Sequence, residues 1–175
     1  KNAADIVDII SEVVHLKKGD RVVGLFFPLW QSGNIDAEKF AAARGGVPTD
    51  GMLANYVYGL EDSFVKFPDY LTHEEASTLP RPGLTAWNAL VLRGKLQAGE
   101  TIVIQGTGGV ALFALQLAKT IGAKVILLSS DNEKLKKAGQ MGADELINYN
   151  NNPNWGELVG EKTLKVGADL VLELG

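Results

Sequence analysis

Residues 101–111 of the chain read TIVIQGTGGVA, a run of mostly apolar residues that leads directly into a glycine-rich turn. The next ten residues repeat apolar side chains at helical spacing, so this region predicts a strand, a tight turn and a helix. The turn has the spacing G-x-G-x-x-A, with Gly106, Gly108 and Ala111 at the fixed positions. That pattern between a strand and a helix is typical of a dinucleotide-binding turn.

Each fixed position has a physical reason. Gly106 permits the tight turn, Gly108 lets a pyrophosphate approach the backbone without meeting a Cβ, and Ala111 is small enough for the helix to pack on the sheet. The helix N-terminus then offers free N–H groups and a partial positive charge. The alternative is a glycine turn that only connects a strand to a helix. The candidate phosphate-binding residues are Gly106, Thr107, Gly108, Gly109 and Val110.

The second half of the chain alternates between strand-length and helix-length segments. Buried strands are predicted at residues 101–105, 124–128, 145–147 and 168–172. Helices are predicted at residues 84–93, ended by Gly94, at 110–121, and from a capping box at Ser130 to about Gly142. Apolar strands that alternate with amphipathic helices predict an α/β fold with a Rossmann-type, doubly wound parallel sheet.

The first half has a different pattern. Strand-length apolar pieces occur at residues 5–10, 21–27, 52–58 and 63–67, and a short helix is predicted at 37–44. Thr72 and Glu75 have the spacing of a capping box, which predicts a helix that starts at His73. Pro80 and Pro82 are expected to break the chain, so we place the domain boundary between residues 82 and 83.

Composition narrows the class of protein. The chain has 175 residues, 46% of them hydrophobic, as in an ordinary globular protein. Its net charge of −4 argues against nucleic acid or an anionic membrane as the partner, which leaves a small-molecule substrate. The longest apolar run, residues 22–30, is too short to span a bilayer, and the N-terminus lacks the layout of a secretion signal. We therefore expect a cytoplasmic protein.

The end of the second strand of the βαβ unit bears on the choice of cofactor. An NAD site has Asp or Glu there, bonding the ribose 2′-hydroxyl, whereas this chain has Ser129 and Ser130 with Lys134 shortly after. Two hydroxyls and an ammonium group suit the 2′-phosphate of NADP. Three alternatives stand: Ser130 only caps its helix, Lys134 is only a solvated surface charge, or Asp131 binds the ribose of NAD.

Five segments together resemble a known family. They fall in the order found in the medium-chain dehydrogenase/reductase superfamily, and the chain is most similar to its zinc-independent quinone-oxidoreductase and alcohol-dehydrogenase-like branch. The resemblance covers nearly all of the 175 residues. The segments are Gly19–Val22, Asp50–Val57, Leu84–Leu90, Gln105–Val110 and Gly142–Tyr149.

The resemblance implies a GroES-like β domain, here residues 1–82 in part, followed by a Rossmann dinucleotide-binding domain, here residues 83–175 in part. It implies that Thr85 approaches the nicotinamide and that Ser129, Ser130, Lys134 and Tyr149 surround the adenosine 2′-phosphate. The alternatives are that Thr85 is an ordinary polar helix residue and Tyr149 a packed aromatic at a strand end. We also expect the full-length protein to be a homo-oligomer.

The chain also departs from the family pattern. Family members are about twice as long, so we expect the chain to begin inside the GroES-like domain and to stop after the fourth Rossmann strand. Ala4, Ile10 and Glu12 stand where the family usually has glycines. The chain has no cysteine and only His15 and His73, so we expect no zinc. His73 is expected to be solvated and His15 to edge a strand or turn. No catalytic residue can be named.

The leading hypothesis is an NADPH-dependent, zinc-independent oxidoreductase that transfers hydride to or from a small carbonyl, enone, quinone or alcohol. The segment 28–51 is a candidate substrate wall with Phe27, Trp30 and Phe40 as candidate apolar contacts, although ordinary packing is the preferred explanation for those residues. The rival hypothesis is a nucleotide-binding sensor or structural module without turnover. A regulatory domain of a transporter is disfavoured by the GroES-like segments before Thr85.

Overall fold

A computed structural model of the chain describes residues 3–10, 13–45 and 49–174. The chain divides into two compact units, Lys1–Arg81 (unit 1) and Pro82–Gly175 (unit 2), one residue away from the predicted domain boundary. In the described ranges, no helix has the length and apolar character that a bilayer crossing needs.

Unit 1 is built on a small antiparallel sheet. Its strands, β1 (Ala3–Asp5), β2 (Arg21–Gly24) and β3 (Phe64–Lys66), pair in the order β1-β2-β3. Two short helices accompany the sheet, α1 (Ala37–Ala41) and α2 (His73–Ala76), and a single 3-10 turn precedes β3. The side chains of Val23, Phe67 and Ala76 form the buried core of the unit.

Four sequence predictions for unit 1 are confirmed, including the strands at 21–27 and 63–67, which contain β2 and β3, and two are wrong. The capping box is present: the Thr72 hydroxyl accepts from the Glu75 N–H at 3.1 Å, and the Glu75 carboxylate accepts from the Thr72 N–H at 2.8 Å. A helix forms at 37–41, as expected. The strand predicted at 52–58 is absent, because no backbone pairs with it and its Tyr58 is 91% exposed. The strand predicted at 5–10 has only its first residue in β1.

A continuous helical stretch occupies residues 79–93, where prolines were expected to break the chain. Its centre is α3 (Leu84–Trp87), flanked by the wider π-helical turns Leu79–Gly83 and Asn88–Arg93. Pro80 and Pro82 are tolerated because they lie in the first turn, where backbone N–H groups have no helical acceptor. The predicted end of this helix before Gly94 is confirmed.

Unit 2 contains the predicted parallel sheet. Strands β4 (Thr101–Gln105), β5 (Lys124–Ser129), β6 (Glu145–Asn148) and β7 (Leu170–Leu172) are ordered β6-β5-β4-β7. The helices that connect them are α4 (Gly109–Ile121), α5 (Asn132–Gln140) and α6 (Trp155–Lys162). Helix α6 was not predicted from the sequence. Two parallel strands such as β6 and β7 nevertheless need a long crossover connection between them, which is usually a helix.

Alternate residues of the strands pack on opposite faces of this sheet. On one face Ile104 and Leu127 lie in a core with Ala111 and Ala114 of α4, and Ala111 is fully buried, as its small size predicted. On the other face Ile126 packs with residues of α6. The four parallel strands are therefore covered on both sides, which confirms the doubly wound Rossmann-type fold.

Asp144 joins three elements of unit 2. Its carboxylate accepts from the Val125 N–H at 2.7 Å and from the Lys119 ammonium at 2.8 Å. Partial burial tends to raise the pKa of Asp144, but these hydrogen bonds outweigh it and hold the pKa below its ordinary value. The loop before β6 is thereby fixed to β5 and α4.

Replacing Asp144 with Ala should destabilise unit 2. The substitution leaves the buried Val125 N–H without an acceptor, which costs about 1–3 kcal/mol of unfolding free energy. Asp144→Asn, which keeps an acceptor but not the charge, should cost less. Because ionised Asp144 stabilises the folded state above its unfolded pKa, the deficit should shrink as the pH falls through the lower folded pKa. Urea unfolding at several pH values measures this, and an unchanged midpoint for Asp144→Ala would contradict it.

Candidate dinucleotide-binding site

The turn after β4 is fixed by the backbone conformation of Gly106. This residue has φ of +98°, in the left-handed region that favours glycine. Its N–H donates to the Leu128 carbonyl at 2.7 Å, so the turn is held against the end of β5. Any residue with a Cβ would be strained at this position, which accounts for the first glycine of the motif.

Gly108 has a different reason to be glycine. Its φ of −77° and ψ of −178° are open to any residue, and a Cβ built there would meet no protein atom within 4 Å. Neither the backbone nor the packing of the described residues therefore requires glycine at this position. A close approach of a ligand to the backbone does require it.

The N-terminus of α4 has unused hydrogen-bond donors. Gly108 is the N-cap residue and supplies no side-chain acceptor, and the first helical bond is from Leu112 N–H to the Gly108 carbonyl. The N–H groups of Gly109, Val110 and Ala111 make no hydrogen bond within the described ranges. These donors and the helix dipole provide a binding site for a phosphate group.

A pair of hydroxyl groups joins the glycine turn to the end of β5. The Thr107 and Ser129 side-chain oxygens are 3.3 Å apart, and the Ser129 oxygen also accepts from the Asp131 N–H at 3.3 Å. Ser129 is only 4% exposed. Its hydroxyl is therefore placed to hold the turn, whereas Ser130 beside it is exposed.

The predicted capping box at Ser130 is wrong, because Asp131 is the N-cap of α5. The Asp131 carboxylate accepts from the N–H groups of Glu133 at 2.8 Å and Lys134 at 3.1 Å. The hydrogen bond from Lys134 is the largest cause that holds the pKa of Asp131 below its ordinary value. Strand β5 continues through Ser129, so the cap falls one residue later than predicted, and Ser130 does not cap this helix.

Lys134 lies in the first turn of α5, where a positive charge opposes the helix dipole. Its side chain is exposed and forms no ion pair within the described ranges. The ammonium group is therefore in an electrostatically unfavourable position on the helix, and the Asp131 carboxylate attracts it only from beyond ion-pair distance.

A hollow of about 250 Å³ lies at the carboxyl end of the sheet, lined by Gln105, Gly106, Leu128, Tyr149 and Trp155. It brings Tyr149, which is 41% exposed, next to the glycine turn. Gln105 was not predicted as a site residue. Its position at the end of β4 could have indicated that it lies at this edge of the sheet. Trp155 was missed because α6 itself was not predicted.

The remaining predicted site residues lie elsewhere. Thr85 is an exposed residue of α3 and does not line this hollow. In unit 1, Phe27 packs against Trp30 and Phe40, with ring centroids 5.5 Å and 6.2 Å apart. This arrangement is ordinary aromatic packing, and it leaves Phe40 65% exposed.

The histidines have structural contacts of their own. The His73 side chain is 37% exposed, and its ring also lies 3.1 Å from the Asp5 carboxylate and edge-on to Phe67. The backbone N–H of the exposed His15 donates to the Glu61 carboxylate. In the part of the chain that the structure describes, no group of three or more His, Cys, Asp or Glu side chains is arranged to hold a metal.

Known proteins share both the sequence and this geometry. Residues 109–174 match the family model described as zinc-binding dehydrogenase. A zinc-type alcohol dehydrogenase-like protein of Schizosaccharomyces pombe is 36% identical over 99% of this chain and 51% of its own length. The crystal structure of a candidate alcohol dehydrogenase from Sinorhizobium meliloti 1021 is 44% identical, covers 98% of this chain and 50% of that one, and has a TM-score of 0.91.

A quinone oxidoreductase structure from Pseudomonas syringae pv. Tomato DC3000 is more distant, at 28% identity and a TM-score of 0.74 over 97% of this chain and 46% of that one. The relatives are thus oxidoreductases of the alcohol dehydrogenase and quinone oxidoreductase type. The chain is thus homologous to proteins of the medium-chain dehydrogenase/reductase superfamily. It spans about half the length of the curated relatives it matches.

Substituting Val for Gly108 should abolish dinucleotide binding and leave the fold unchanged, because a Cβ at this position meets no protein atom within 4 Å but would occupy the space proposed for the pyrophosphate. Titration calorimetry of the intact protein with NADPH and NADH measures the loss. Gly160→Val is the matched control, since its Cβ would also meet nothing within 4 Å. Retention of wild-type affinity by a folded Gly108→Val variant would contradict the assignment.

Proposed function

We propose that the chain is the nucleotide-binding part of an NADPH-dependent, zinc-independent oxidoreductase that transfers hydride between nicotinamide and a small carbonyl, enone, quinone or alcohol. The observation that carries the proposal is the space at Gly108 beside the uncapped N-terminus of α4. No packing requirement among the described residues explains that space, and a pyrophosphate does.

Different residues of the chain are proposed to bind different parts of such a cofactor. The nicotinamide supplies the hydride chemistry when it is bound. The N–H groups of Gly109 and Val110 bind the phosphates, while Ser129 and Thr107 keep the turn in place from beneath. Thr85 is proposed to approach the nicotinamide, as the family resemblance implies. The role of the chain is thus to bind and orient the cofactor.

Three observations favour NADP over NAD. Ser130, exposed beside the turn, does not cap α5 and keeps its hydroxyl available. Asp131 uses one carboxylate oxygen on two backbone N–H groups, which reduces its capacity to accept from a ribose. Lys134 has no ion-pair partner in the described part of the chain and supplies a positive charge. The rival is NAD, bound with the second oxygen of Asp131 on the ribose.

We propose that the protein does not depend on zinc, because the described residues include no group of side chains arranged to bind this metal. The chain has no cysteine, and neither of its two histidines belongs to a group of three potential ligands in the described ranges. Metal affinity of the catalytic type requires at least three protein ligands around one position. The residues that the structure describes do not offer them.

Activity measurements on the intact protein test the proposed reaction. NADPH oxidation, followed optically with a panel of quinones, enones and aldehydes, should be accelerated by at least one class, and a zinc chelator should leave the initial rate unchanged. Elemental analysis should find no stoichiometric zinc. Tight NADPH binding without turnover on any substrate would instead support the sensor or structural module, and loss of activity on chelation would contradict zinc independence.

Replacing Lys134 with Ala should weaken NADPH binding about tenfold or more and leave NADH nearly unaffected. A charge-assisted hydrogen bond contributes roughly 1.5–3 kcal/mol, and about 1.4 kcal/mol corresponds to a factor of ten. Added salt should weaken NADPH more than NADH, because the contact is exposed and screened. Calorimetric titration with both cofactors measures the difference.

Lys136→Ala is the matched control, because it removes an exposed lysine from the same helix. It should change neither affinity. The wild-type protein could prefer NADH, or Lys134→Ala could weaken the binding of both cofactors equally. Either result would mean that the ammonium group does not bind the 2′-phosphate. Asp131 then becomes the better candidate, as a ribose acceptor.

A further inference from the structure

A second cavity, of about 490 Å³, lies within unit 1 and shares no lining residue with the hollow beside the glycine turn. Its size is within the range typical of small-molecule pockets. Pro28, Leu29, Ala54 and Val57 contribute an apolar wall, and Arg44 contributes a positive charge. The cavity therefore combines apolar surface with the guanidinium group of Arg44 and the carboxylate of Asp50.

The guanidinium of Arg44 is held in a fixed position. One terminal nitrogen donates to the Ser63 hydroxyl at 3.1 Å, and that hydroxyl donates in turn to the Leu60 carbonyl at 2.6 Å. Because the Ser63 proton is used on Leu60, the lone pairs of its oxygen remain for Arg44. The guanidinium also lies over the Phe64 ring, 5.4 Å from its centroid. These contacts reduce the conformational freedom that binding a ligand would otherwise remove.

Gly59 makes room for this arrangement. A Cβ at position 59 would lie 2.8 Å from a terminal nitrogen of Arg44 and 2.9 Å from the Ser63 oxygen. Both distances are shorter than side chains tolerate, so glycine is required for the guanidinium to lie where it does. The placement of this cation is thus specified by several residues of unit 1.

The charge of Arg44 has no ion-pair partner among the described residues. The side-chain Nε is buried and has no hydrogen-bond partner, and no carboxylate forms an ion pair with the guanidinium in the described ranges. Asp50 also lines the cavity but is not paired with Arg44. Burial holds the pKa of Arg44 below its ordinary value. A half-buried cation without a partner is costly unless an anion accompanies it.

We propose that this cavity binds a small molecule with a carboxylate group and an apolar body. The carboxylate pairs with the guanidinium of Arg44, whose planar donors match carboxylate geometry, and the apolar body covers Pro28, Leu29 and Val57. This inference does not depend on the proposed oxidoreductase activity. It assigns a ligand site to unit 1, whereas the nucleotide site belongs to unit 2.

The test compares octanoate with octan-1-ol as probes of the intact protein by titration calorimetry. Octanoate should bind at least tenfold more tightly than the alcohol, because only the acid provides an anion. Arg44→Gln should reduce octanoate affinity at least tenfold, whereas Lys18→Gln, which removes an exposed lysine of the same unit, should not change it. Affinity for NADPH should be the same in all three proteins.

Ala54→Trp provides a second variant in case Arg44→Gln fails to fold. It fills the cavity and leaves Arg44 in place, so octanoate binding should again be lost. The proposal is overturned if the folded wild-type protein does not bind octanoate at millimolar concentration or binds the acid and the alcohol equally. Wild-type octanoate affinity in folded Arg44→Gln or Ala54→Trp protein would overturn it as well.

Discussion

The β4–α4 turn is held to the end of β5, and the proposed nucleotide site depends on this connection. The Gly106 N–H donates to the Leu128 carbonyl, and the Thr107 and Ser129 hydroxyls meet at 3.3 Å just below. With the turn fixed in this way, the N-terminus of α4 opens onto the carboxyl end of the sheet. The unpaired N–H groups, the space at Gly108 and the hollow beside Tyr149 all follow from that placement.

The fold of unit 2 could be predicted because its segments are periodic and bounded by glycines. Strand β4 has the predicted limits, and α4 begins one residue earlier than predicted. The glycine turn was found because its chemistry is local, each residue acting through its own backbone. The N-cap of α5 was misplaced because Ser130 and Asp131 are both good caps, and only the length of β5 decides between them.

Features that depend on tertiary contacts were less predictable. The segment 52–58 has the length and the apolar and aromatic residues of a strand but no neighbouring backbone to pair with, and α1 ends early because the Arg44 N–H donates to the Phe26 carbonyl. Trp155 enters the hollow from a helix whose sequence gave no strong signal. The exposure of Ser130 and the burial of Ser129 likewise follow from packing, which a list of hydroxyl residues does not reveal.

We propose that the chain binds a dinucleotide through the backbone at the start of α4. A crystal structure of the intact protein with bound NADP⁺ would test this binding mode. We expect pyrophosphate oxygens within hydrogen-bonding distance of the Gly109 and Val110 N–H groups, above an unobstructed Gly108, and the 2′-phosphate near Lys134. A nucleotide bound away from this turn, or bound with its phosphates on side chains alone, would contradict it.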